Sequence, residues 1–146
     1  MNFNNTDFKD KSFDKVFAIE GACYAENKYD FLKEMYRILK PNGKIVVVDG
    51  FLKKRKFTKE ERKAYKKSLT GWKVPNLSHR DDFKVDLENI GFKNIKFFDK
   101  TKNVIPSAKR IKTYGYLLFP FSFILSKLKL ITKDIHENSI CMINQK

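Results

Sequence analysis

Two short runs of consecutive apolar residues, Val16–Ile19 and Ile45–Val48, bracket a stretch in which apolar positions recur every third or fourth residue. Such runs suit strands covered on both faces, which leave no alternate position for a polar side chain. Between them Asn27 is a ready N-cap, and Phe31, Leu32, Met35, Ile38 and Leu39 fall on one face of a helix that Pro41 and Gly43 stop after Lys40. Two buried strands joined by a helix form a crossover unit, so the strands should run parallel with a right-handed connection. The pattern predicts an α/β fold.

Farther along, Ser78 is a candidate N-cap with Asp81 three residues later, and Phe83, Leu87 and Ile90 line a helix that Gly91 ends. "FKNIKFFD" (92–99) reads as a third strand. Residues 104–130, "VIPSAKRIKTYGYLLFPFSFILSKLKL", read as two helical pieces broken near Pro120. "SICMINQ" (139–145) completes a set of four strands. No repeat or low-complexity linker divides the chain, so 1–146 reads as one domain. Within it lie a strand–helix–strand segment (1–51), a segment of helices together with the third strand (52–137) and a terminal strand (138–146).

Composition narrows the class of protein. Apolar residues make up 42% of the chain and Phe supplies 14 positions, which belongs to a folded domain. The formal charge of +14 would favour phosphate-bearing partners or an anionic membrane surface, but it is spread along the chain and dominated by Lys, as on a solvated surface. The densest run, 51–67, is interrupted by acids and reads as a helix with an exposed face. Cys23 and Cys141 lie far apart without CxxC spacing, which points to a reducing compartment and away from a zinc site or disulfide framework. No metal site is expected. The first residues carry no signal-peptide pattern, so a cytoplasmic location is expected. Residues 114–131 contain Pro120, Lys127 and Lys129 and fall short of about 20 uninterrupted apolar residues, so they read as a buried or surface-lying helix and not a span.

In open parallel sheets, ligands sit beyond the carboxyl ends of the strands. Here those ends are Glu20-Gly21-Ala22 and Asp49-Gly50-Phe51, each a carboxylate followed by glycine. Two readings stand side by side: a ligand-binding edge, or ordinary strand-to-loop transitions with solvated acids. His79 and His136 have no recognisable partner, Cys23 reads as a small apolar residue, and no nucleophile elbow is present.

The segment "FKDKSFDKVFAIEGACYAENKYDFLKEMYRILKPNGKIVVVDGF" resembles the middle of class I S-adenosylmethionine-dependent methyltransferases, in particular the small-molecule branch that includes sterol methyltransferases. The resemblance rests on Asp10, Ser12, Phe13 and Asp14 before one strand, and on Glu34, Tyr36, Arg37, Leu39, Lys40, Pro41 and Gly43 before the next. Asn42 stands where that family has glycine. The resemblance implies a partial Rossmann-like sheet with strands equivalent to 4, 5, 6 and 7 and flanking helices, lacking the first three. It implies S-adenosylmethionine as cofactor, with Ala18, Ile19, Glu20 and Gly21 beside it. Glu20 would hold a polar group or act as a base, and Tyr24, Asp49, Trp72 and His79 would face a small-molecule methyl acceptor. The family's glycine-rich loop and ribose-binding acid have no counterpart in the sequence, so the expectation is an incomplete or split enzyme whose other half lies upstream. Alternatives are a non-catalytic remnant serving as a binding subunit, and a basic surface that meets RNA or an anionic membrane, nucleic acid being the less favoured. A complementary N-terminal chain, or self-association, is expected to cover the exposed edge.

Overall fold

The computed structural model describes residues 2–132; the expected terminal strand, His136 and Cys141 lie outside them. In chain order the elements are β1 (Phe13–Ile19), a single 3-10 turn (Ala22–Tyr24), α1 (Lys28–Ile38), β2 (Leu39–Val48), α2 (Lys59–Trp72), α3 (Arg80–Ile90) and α4 (Thr101–Lys127). They fall into two units, one of Met1–Arg55 and Pro75–Lys96, the other of Lys56–Val74 and Phe97–Lys146.

In the first unit β1 and β2 pair in parallel, with Lys15 opposite Lys44 through to Ile19 opposite Val48, as a crossover through α1 requires. The register slips near the start, where Phe13 faces Leu39. The extra residues are accommodated by two different devices. Asn42 takes the left-handed conformation at φ 64°, which Asn tolerates better than most residues. Gly43 is needed for closeness instead, because a Cβ there would sit 2.8 Å from the Lys40 carbonyl and 3.2 Å from that of Asp14.

Helix α1 begins where the sequence places it: the Asn27 side chain accepts from the Tyr29 amide at 3.0 Å. Phe31, Leu32, Met35, Ile38 and Leu39 are all buried, and with Phe83 and Leu87 of α3 they make the core of the unit. The helix stops at Ile38, two residues before the expected end, because the chain pairs with β1 from Leu39 onward. Its last carbonyls are not orphaned: the Ser12 amide donates to Ile38 at 2.8 Å and the Lys11 amide to Arg37 at 3.0 Å.

Four expectations are corrected. The sheet is covered on one face only: Phe17, Ile19, Val46 and Val48 are exposed, Phe17 to 75%, since α1 packs against just one side of the strands. Residues 92–99 form no strand among the described residues, and Asn94, at φ 56°, breaks the extended course. Helix α4 runs unbroken through Pro106 and Pro120; each proline removes one backbone donor without ending the helix. The cap of α3 is His79, not Ser78, whose carbonyl instead receives the Leu52 amide at 2.9 Å. Gly91 does end α3, at φ 112°.

The second unit holds α2 and α4. Thr58 and Glu61 form a reciprocal capping box at the start of α2, and Lys73 closes it in the left-handed conformation. Among the described residues no helix is long and apolar enough to cross a membrane.

Candidate functional site

The carboxyl ends of β1 and β2 lie side by side. The Glu20 amide donates to the Val48 carbonyl at 2.8 Å, extending the pairing by one residue. Glu20 then turns out of the strand at φ 49°, while Gly21 keeps an ordinary φ of −114°. The left-handed turn is therefore made by the acid and not by the glycine beside it, at a cost of about 1 kcal/mol.

Asp49 binds the two strand ends together. One carboxylate oxygen accepts from the Cys23 amide at 2.9 Å and the other from the Gly50 amide at 2.8 Å. Lys28, 7% exposed, donates its ammonium to the carbonyls of Cys23 at 2.9 Å, Ala25, and Asn76 at 3.1 Å. The Asn76 side chain in turn donates to the Glu26 carbonyl at 2.9 Å. The loops after β1, after β2 and before α3 are thus tied together around a small recess whose wall includes Cys23, Lys28, Asp49, Ser78 and the contacting rings of Phe51 and Phe83.

Burial holds the Lys28 ammonium below the usual lysine range, offset in part by Cys23 and Asp49. Burial, followed by the charge and hydrogen bond of Asp49, pushes the Cys23 thiol up to about 11. Cys23 is therefore a protonated thiol at neutral pH and a poor nucleophile. The recess can shape and orient a ligand.

The structure gathers Ala18, Ile19, Glu20, Gly21, Tyr24 and Asp49 at one end of the two strands. Ala18 is half-buried on the α1 side, whereas Ile19 belongs to the open face and Glu20 and Tyr24 are exposed. His79 is in the same unit, its Nδ1 accepting from the Asp81 amide at 3.3 Å. Trp72 belongs to the second unit, at the end of α2, and is exposed. Lys28 was not singled out from the sequence. Its signal was a cation at the first position of a helix, where the macrodipole disfavours positive charge and a compensating set of carbonyls should be sought.

The motif residues have a structural task. Glu34 is buried and accepts from the Thr6 amide (2.8 Å), the Thr6 hydroxyl (2.6 Å) and Arg37 at both oxygens (2.7 and 2.8 Å). Arg37 also reaches Asp10 at 2.5 Å, and Lys40 reaches Asp14 at 2.9 Å. These pairs pin residues 6–14 to the end of α1 and so aim β1. Residues 1–47, which contain all of them, match a family model described as a methyltransferase domain. The chain is 32% identical over 103 residues to a sterol 24-C-methyltransferase (ERG6) of Saccharomyces cerevisiae, covering 69% of this chain and 27% of that protein. It is 31% identical over 100 residues to a squalene methyltransferase of Botryococcus braunii, covering 67% and 26%.

The chain belongs to the class I S-adenosylmethionine-dependent methyltransferase family. A further relative, a sterol 24-C-methyltransferase of Eremothecium gossypii, is 47% identical over 47 residues, or 32% of this chain and 13% of that protein. The chain thus spans about a quarter of the length of the relatives it matches over the longest stretches. The methyltransferase-domain match ends inside β2, so the α1 core and the Glu34–Arg37 clamp belong to the family segment. Among the described residues no group of three His, Cys, Asp or Glu side chains could hold a metal ion.

Proposed function

We propose that this chain serves S-adenosylmethionine-dependent methyl transfer to an apolar small-molecule acceptor, supplying one edge of a site that residues outside the described ones complete. The observation that carries this reading is the methyltransferase segment itself, folded so that Glu20 and Asp49 end two parallel strands whose far face is open and apolar. The relatives named for sterols and squalene favour an apolar acceptor.

The residues on hand fit part of a cofactor site. Asp49 and Lys28 are already committed to backbone groups of this chain, which leaves Glu20 as the exposed carboxylate beside the strand ends. Ala18, Ile19, Glu20 and Gly21 would flank the cofactor's methionine end. Bound there, the cofactor supplies a methyl group made electrophilic by its sulfonium centre. Glu20 would accept a hydrogen bond from a polar group of the acceptor, and Tyr24 would line its pocket. Rigid loops tied by Asp49 and Lys28 would keep that edge in place, which is the main demand of an alignment-driven reaction. Docking of a second polypeptide on Phe17, Ile19, Val46 and Val48 would exclude water from the site.

Calorimetry with S-adenosylmethionine tests this, on the chain alone and after adding the polypeptide encoded immediately upstream. Binding only in the mixture is the expected result. Binding by the chain alone would mean that the four strand-end residues suffice, contrary to the proposed division. Absence of binding in both would favour a second reading, a non-catalytic binding subunit, to which the full commitment of Asp49 and Lys28 to backbone groups already lends support.

A further inference from the structure

Helix α4 is built inside out. Gly115 and Ser122 are its buried residues, and Ala108, Ile111, Phe119 and Ser126 extend that inward stripe at spacings of three and four. Most of its large apolar side chains lie outside that stripe: Leu117, Leu118, Phe121 and Ile124 are exposed, Phe121 to 67%. A helix whose surroundings were water alone would reverse this arrangement.

The charges are arranged just as consistently. Between Asp99 and Asp134 there is no acidic residue. Lys109, Arg110 and Lys112 precede the charge-free stretch Tyr114–Ser126, and Lys127 and Lys129 follow it. That stretch is about 20 Å long at about 1.5 Å per residue, against roughly 30 Å for the hydrocarbon core of a bilayer. It is too short to span, and the cations at both ends complement anionic headgroups on one surface.

We propose that α4 is a membrane-surface anchor that lies in the interface of an anionic phospholipid bilayer, with Leu117, Leu118, Phe121 and Ile124 among the acyl chains and the flanking lysines and arginine at the headgroups. The anchor is independent of the methyltransferase reading, since its residues lie outside the segment that matches the methyltransferase domain and its test requires no cofactor.

The test is co-sedimentation of the full chain with vesicles of phosphatidylcholine alone and of phosphatidylcholine mixed with phosphatidylserine, over a series of salt concentrations. The expected result is at least about tenfold tighter binding to the mixed vesicles, weakening as salt screens the charges. Leu117→Asp with Phe121→Asp should abolish binding. Lys127→Glu with Lys129→Glu should remove most of the preference for phosphatidylserine. Both pairs are exposed, so an unchanged circular dichroism spectrum and unfolding midpoint identify the loss as a surface effect. Three results would overturn the anchor: equal or absent binding to both vesicle types, a dimer in sedimentation velocity that Phe121→Asp dissociates in a chain that ignores vesicles, or salt-dependent RNA binding indifferent to Phe121→Asp in such a chain.

Discussion

Helices α1 and α4 make opposite use of their apolar residues. In α1, Phe31, Leu32, Met35 and Ile38 face inward and Lys33 faces water; in α4, Gly115 and Ser122 are buried and Leu117, Leu118 and Phe121 face out. The difference lies in what each helix has beside it. Helix α1 packs against the β1–β2 sheet and α3, which offer Leu39, Phe83 and Leu87 as partners. The same contrast divides the two faces of the sheet, where Val16, Ala18, Ile45 and Val47 are half-buried and their alternating neighbours are bare. An apolar stripe records that a surface is to be covered. It does not say by what.

The contrast can be tested first where it is largest. Leu32 is fully buried, so Leu32→Ala should cost about 3 kcal/mol in urea unfolding through the cavity it leaves. An indifferent midpoint would mean that α1 is no better packed than α4.

Glu34→Gln comes next, with an expected loss of about 2 kcal/mol, because a buried carboxylate serving Arg37 and Thr6 would be replaced by a neutral amide. Hydrogen bonds from Arg37, then from Thr6, hold the Glu34 carboxyl down to about 2 against an ordinary value near 4.5. A depressed carboxyl pKa stabilises the fold fully above the unfolded value and ceases to do so as pH falls through the folded one. Stability of the natural chain should therefore decline between about pH 4.5 and about pH 2, and Glu34→Gln should flatten that part of the curve.

Gly91→Ala should cost about 1–2 kcal/mol, since φ is 112° and the new Cβ would stand 3.1 Å from the Tyr36 hydroxyl on α1. A neutral outcome in thermal melts would show that the α1–α3 contact is loose. The smallest effect belongs to α4: Leu117→Ala should change the unfolding midpoint in the absence of lipid by no more than about 0.5 kcal/mol. A cost like that of Leu32→Ala would mean that this face of α4 is covered in solution.

Much of the first unit was legible in the residues. The period of Phe31, Leu32, Met35 and Ile38, the Asn27 cap, the Gly91 stop and the parallel pairing of the two aliphatic runs all follow from local chemistry and chain connectivity. Legibility failed where a neighbour decides the outcome. Residues 92–99 have the composition of a strand but leave the extended course at Asn94, and Pro120 sits in a helix that runs through it. At the site, Glu20, Gly21 and Asp49 could be read as strand ends, but not that Asp49 spends both oxygens on backbone amides or that Lys28 gathers three carbonyls, since those bonds join residues as far apart as Lys28 and Asn76.

The sequence by itself determined the strand–helix–strand unit, its caps and stops, and the methyltransferase resemblance, because each is written in short-range spacing and in residue types with narrow conformational or chemical roles. Only the tertiary structure decided which apolar faces are covered, that the motif residues Asp10, Glu34 and Arg37 form a clamp, and that α4 shows its large side chains to the outside. Those outcomes depend on which surfaces meet, and a contact between distant segments leaves no mark in the local order of residues.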